Sequence, residues 1–204
     1  MTERWSYWNG PDEEDRRVKY AKAFKPEHQA NGDDLQRRIS AVETAFTAET
    51  GIILPPGYSS GWRPPSVNEA TANAGKLSTH LDGQGGDKRD TVDGDYAWWC
   101  LRNQHVLERH QLYMEHPVAT VVRAWKRALE QGREPTPWCH QQSVPPRSHN
   151  RVYFPDSASL GEWEAFLATG AQPGLGYAAW LALASPRAES EPIRKKRKAP
   201  ADPQ

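Results

Sequence analysis

Within the run Ser78-Thr79-His80-Leu81-Asp82-Gly83-Gln84-Gly85-Gly86-Asp87, an imidazole and a carboxylate stand seven positions apart, separated by a glycine-rich segment. Glycines permit tight turns and close backbone approach, so this segment can bring His80 and Asp87 to one point. Further on, Trp138-Cys139-His140 places a second histidine in a short β-like run. Two histidines and one carboxylate, with a fourth position left to water, make the ligand set of a catalytic zinc site, although such a set also accepts other first-row ions. The matching chemistry is metal-dependent hydrolysis. The plainer alternative has His80 capping a turn, Asp87 paired with Lys88 or Arg89, and His140 buried in a strand.

Elements on either side must position these residues. Asp12 to Lys22 reads as a short exposed helix, with Trp5, Tyr7 and Trp8 docking on the core. Asp33 or Asp34 can cap the next helix, whose Leu35, Ile39, Val42 and Phe46 repeat at helical period and which Gly51 ends. Ile52–Leu54 reads as a short buried strand stopped by Pro55-Pro56-Gly57, and Tyr58 to Arg63 as a second extended segment. Ser66 to Asn73, Asp95 to His110, Val118 to Gln131 and Ser159 to Ala168 are predicted helices. Leu112 to Glu115, Trp138 to Val144 and Arg151 to Phe154 are predicted strands, the last two paired antiparallel through the intervening turn. Helices and short strands without strict alternation indicate an α+β fold.

The chain has 204 residues, 37% of them apolar, and a mean hydropathy of -0.86. That suits one domain with a real core plus unpacked ends. The expected division is an N-terminal extension (1–34), a domain (35–184) and a basic tail (185–204). Nine tryptophans supply apolar bulk. A formal net charge of zero excludes the whole molecule as an electrostatic magnet for nucleic acid. The tail, ending Arg194-Lys195-Lys196-Arg197-Lys198, leaves a nucleic-acid or import role open beside a solvated disordered end. Cys100 and Cys139 read as reduced core thiols, with one disulfide as the alternative. No apolar run spans a membrane, and the N-terminus lacks the apolar stretch of a signal peptide.

Ser78-x-His80-x-x-Gly83-x-x-x-Asp87 resembles the SxHxxGxAxD motif of the M15 zinc peptidases, with Gly85 where alanine is usual. These are D-alanyl-D-alanine carboxypeptidases and related peptidoglycan endopeptidases, phage endolysins among them. Ser60-Gly61-Trp62-Arg63-Pro64 is similar to the family's SGYRS-type segment, and Trp138-x-His140 to the strand bearing the third ligand. The Val144–Pro155 run is similar to one in phage-encoded members. The resemblance covers roughly residues 35 to 155. It implies a small central antiparallel sheet flanked by helices, Zn2+ held by His80, Asp87 and His140, and peptidoglycan stem peptides as substrate. Arg63 and Ser78 would then face the substrate, with loop support the alternative for Ser78. A lysin made in the cytoplasm without a signal peptide would act at the cell wall after release, or as a virion component.

The general base departs from the family pattern. A glutamate three positions before the last ligand, or a histidine two before it, is usual; here Pro137 and Trp138 stand there and neither accepts a proton. Glu115, at the end of a predicted strand, is the chosen candidate, ahead of Glu134, His116 and His149. Asp82 reads as a turn residue. The departure keeps a rival open, a non-catalytic metal-binding or cell-wall-binding module on the same scaffold.

Overall fold

A computed structural model describes residues 5–71 and 74–184; the tail from residue 185, expected to be disordered, lies outside the described residues. The fold is mixed α and β, as expected. In chain order its elements are α1 (Arg16–Lys19), α2 (Pro26–Thr50), β1 (Tyr58–Ser60), α3 (Pro65–Ala70), β2 (Gly85–Arg89), α4 (Asp95–Arg102), α5 (Gln104–Arg109), β3 (Tyr113–Glu115), a wide π turn at Val118–Val122 leading into α6 (Arg123–Gln131), β4 (Trp138–Gln142), β5 (Val152–Tyr153), α7 (Leu160–Ala168) and α8 (Tyr177–Ala184). No helix among the described residues is long and apolar enough to cross a membrane.

Helix α2 begins earlier than the sequence reading put it. Pro26, with φ already helical and no amide hydrogen needed, opens it, and Asp33 and Asp34 lie inside rather than at a cap. It runs unbroken through the boundary expected at 34/35. Gly32 reads as punctuation but is a packing residue: a Cβ there would stand 2.4 Å from the Trp8 ring. Leu35, Ile39, Val42 and Phe46 are all fully buried, in one core with Tyr7 and Trp8. Gly51, at φ 73°, closes the helix in the left-handed region.

Three further expectations are corrected. Ile52–Leu54 is not a strand: Ile53 is 83% exposed, and Pro55 and Pro56 offer no amide hydrogens to a partner strand. The predicted helix at Asp95–His110 breaks at Asn103, whose side-chain amide donates to the Trp99 carbonyl. The hairpin between Trp138–Val144 and Arg151–Phe154 does not form. The sheet order is β1-β2-β4-β3-β5, so β3 lies between the two strands and β5 runs parallel to it. The sheet is therefore antiparallel except at that edge pair. The Ser143–Arg151 connection, with two prolines, is a crossing loop rather than a tight turn. Cys100 and Cys139 are free and buried.

Candidate metal centre

The sheet register sets the site. Asp87 on β2 lies opposite His140 on β4. Strand β3 pairs Tyr113 with Gln142 and Met114 with Gln141, and one more step of that register sets Glu115 against His140. Glu115 in turn lies opposite Tyr153 on β5. Residues directly opposite one another in a sheet share a face. Asp87, His140, Glu115 and Tyr153 thus form one row across four strands. The alternate positions Met114, Cys139 and Gln141 are fully buried on the other face, against the core.

His80 reaches this row from the loop before β2. Gly85 lets the loop lie on the strand, since a Cβ there would stand 2.3 Å from Thr79 Oγ1. The glycines that read as a turn are in part a close approach; Gly83, at φ +72°, is the true turn residue. His80 Nδ1 donates to the Gly61 carbonyl at 2.7 Å. A carbonyl only accepts, so the proton sits on Nδ1 and the bare Nε2 faces the site. Gly61 is required at that point, because a Cβ would fall 1.9 Å from the Tyr7 carbonyl oxygen.

His80 Nε2 lies 3.3 Å from His140 Nδ1 and 3.4 Å from Asp87 Oδ1, and His140 Nδ1 donates to Asp87 Oδ1 at 2.7 Å. These three side chains form a group able to hold a metal ion. A tetrahedral ion with bonds of about 2.0–2.1 Å sets its ligand atoms roughly 3.3 Å apart. Two edges of the triangle fit that spacing, and the third is shorter because a proton bridges it. The donor set of two imidazoles and a carboxylate suits zinc and other first-row ions alike.

Electrostatics follow from this crowding. Burial holds His80 neutral, its pKa lowered to about 4. Burial also opposes charge on His140, but the carboxylates of Glu115 and Asp87 outweigh it and raise its pKa to about 9. Burial works against charge on Asp87 too, yet the two histidines hold it well below the usual carboxylate range. The proton on His140 competes with any cation for the same lone pair. Zinc affinity is therefore expected to fall about tenfold per pH unit below 9 and to level off above it. Titrations with a competing chelator from pH 6 to 9 measure the slope; a flat profile would remove His140 from the ligand set.

Arg63 follows β1. Its backbone N–H donates to the His80 carbonyl at 3.1 Å, and Nη2 donates to Ser78 Oγ at 3.3 Å. Its buried Nε has no partner, and no carboxylate forms an ion pair with its guanidinium among the described residues. Ser78 Oγ also accepts the His80 backbone N–H at 3.4 Å, so it braces the loop. The Glu115 side chain makes no hydrogen bond or ion pair among the described residues. Burial raises its pKa, against the opposing pull of His140, Arg63 and Arg123. Glu134, His149 and Asp82 are exposed. His116 is turned into the core, stacked on Phe154 at 4.5 Å with Nδ1 accepting the Val118 N–H.

No protein-family model matches the chain, and neither curated proteins nor solved structures give a match. Sequence reasoning assigns no role to Gln142 or Tyr153, nor to Gly61 beyond its place in the Ser60–Pro64 segment. Gln142 was within reach of it: alternation along β4 puts positions 140 and 142 on one face.

Proposed function

We propose that the chain is a zinc-dependent peptidase that hydrolyses a peptide bond in peptidoglycan stem peptides. The carrying observation is the convergence of His80 Nε2, Asp87 Oδ1 and His140 Nδ1 within 3.4 Å of one another. These atoms would hold the ion. When bound, it would lower the pKa of a water and polarise the scissile carbonyl. The substrate class rests on the resemblance of the Ser78–Asp87, Ser60–Pro64 and Trp138–His140 segments.

The side chains around the triad supply the rest. Glu115, on the row with His140 and otherwise unengaged, takes a proton from the attacking water and returns it to the leaving amine. Its raised pKa helps it hold that proton between the two steps. Arg63, buried with no ion pair of its own, pairs with a substrate carboxylate or the developing oxyanion. Arg63→Lys is expected to keep zinc but lose roughly 10–100-fold in turnover, matching the ~1.5–3 kcal/mol of a hydrogen bond to a charged group. Unchanged turnover would leave Arg63 as loop support through Ser78.

Zinc-loaded protein incubated with purified cell walls should release new free amines. The release should stop with chelator and return with added zinc. Stoichiometric zinc with no release would favour the non-catalytic wall-binding or virion module, and absence of zinc binding would overturn both readings.

A further inference from the structure

Gln142 joins His140 to the opposite edge of the sheet, and its own orientation is fixed from outside the site. Its Nε2 donates to the Val144 carbonyl at 2.7 Å. That carbonyl can only accept, so the amide cannot be flipped and Oε1 must face the other way. There Oε1 accepts the Tyr153 hydroxyl at 2.7 Å and lies 3.4 Å from His140 Nε2. An amide oxygen only accepts, so His140 Nε2 must carry a hydrogen. The second nitrogen, Nδ1, is then the one left to give its lone pair to a metal, beside His80 Nε2 and Asp87 Oδ1. The His80 tautomer is set in the same way by Gly61. One backbone carbonyl thus stands behind each imidazole, directly for His80 and through an amide for His140.

We propose that Gln142 is a positioning residue of the metal centre: held by Val144, it locks His140 in the tautomer that presents Nδ1 to the ion, with Tyr153 fixing the same oxygen from β5. The inference rests on the metal reading above and adds a determinant that neither the triad nor the sequence motifs contain. Partners of this kind orient first-sphere histidines and raise their basicity, and their loss typically costs about 10–100-fold in metal affinity.

Gln142→Met keeps the length and the buried apolar stem but removes the acceptor. Gln142→Glu keeps an acceptor for Nε2–H while losing the donor to Val144. Zinc affinity of each, measured against a competing chelator, is expected to fall roughly 10–100-fold for Gln142→Met and to return to within about threefold of the unmodified chain for Gln142→Glu, because a carboxylate accepts the same hydrogen more strongly. Nitrogen-15 spectra of the zinc-loaded proteins give an independent readout. The unmodified chain should show the His140 proton on Nε2 and zinc on Nδ1, and Gln142→Met should show two populations. Thermal unfolding of the metal-free variants shows whether each is folded. Tyr153→Phe, which keeps the ring, should retain the Nε2–H signal and serves if Gln142→Met does not fold. Equal zinc affinity in Gln142→Met and the unmodified chain would overturn the proposal, as would a proton on Nδ1 in the zinc-loaded unmodified or Tyr153→Phe chain. Failure of the unmodified chain to bind zinc would overturn this inference and the metal reading together.

Discussion

Glu115→Gln is expected to lower turnover on cell-wall fragments by roughly 10²–10⁴-fold, the usual loss when general acid–base help is removed, while zinc content and thermal stability hold. The row Asp87–His140–Glu115–Tyr153 is the reason. The register carries Glu115 to the place beside His140 although it lies on a different strand, so it can stand in for the carboxylate that the resemblance would put at position 137. Glutamine has the same shape and cannot take a proton. The Glu115 side chain makes no hydrogen bond or ion pair among the described residues, so the exchange breaks no contact there. Its charge does raise the pKa of His140. Removing that charge loosens the competing proton and weakens the pull on the cation alike, so zinc affinity should change little. Lower turnover with little change in zinc binding separates a proton-transfer role from a ligand role. Unaltered turnover would exclude Glu115 as the base.

Why the triad could be read from the chain while most of its supports could not is a matter of distance. His80 and Asp87 lie in one short segment whose glycines announce an unusual backbone, and His140 sits in a run with strand character. What those glycines do was less legible. A glycine marks either a turn or a place where another backbone comes close, and only the structure shows that Gly85 serves the second purpose while β2 runs through it. The tautomer locks depend on Gly61, Val144, Gln142 and Tyr153. Their meeting follows from the strand order β1-β2-β4-β3-β5, which no local pattern encodes.

Helix α2 shows the same division. Its apolar face is plain in Leu35, Ile39, Val42 and Phe46, whereas its start is hidden by Gly32, a residue that looks like a break until Trp8 is seen packed on it. Ile52–Leu54 is the reverse case, an apolar run that resembles a strand yet has no strand to pair with. Helix α8, which carries Trp180 into the core beside Trp125 at 5.6 Å, lies past the last element read from the sequence. Its residues are apolar on nearly every side, so helical period gives no signal.

His80→Ala is expected to abolish stoichiometric zinc, with a loss of affinity beyond the 10–100-fold that an outer partner costs. His80 would supply one of three ligand atoms, and two remaining atoms paired through a proton at 2.7 Å are a poor site for an ion. The change also empties a buried space, as His80 is 2% exposed. It leaves the Gly61 carbonyl without its donor, at a cost of about 1–3 kcal/mol. Some fall in the melting temperature of the metal-free protein is therefore expected, and zinc loss alone would not prove ligation. Asp87→Asn separates the two effects: it keeps the side-chain shape while giving up the charge that the ion needs. In the unmodified chain, zinc at 1,000 times its dissociation constant should stabilise the fold by about 4.1 kcal/mol, and chelator should reverse it. In both variants that zinc-dependent rise in melting temperature should disappear, whatever their metal-free stabilities. A His80→Ala chain that keeps near-stoichiometric zinc and its thermal shift would dismiss the assignment of the centre.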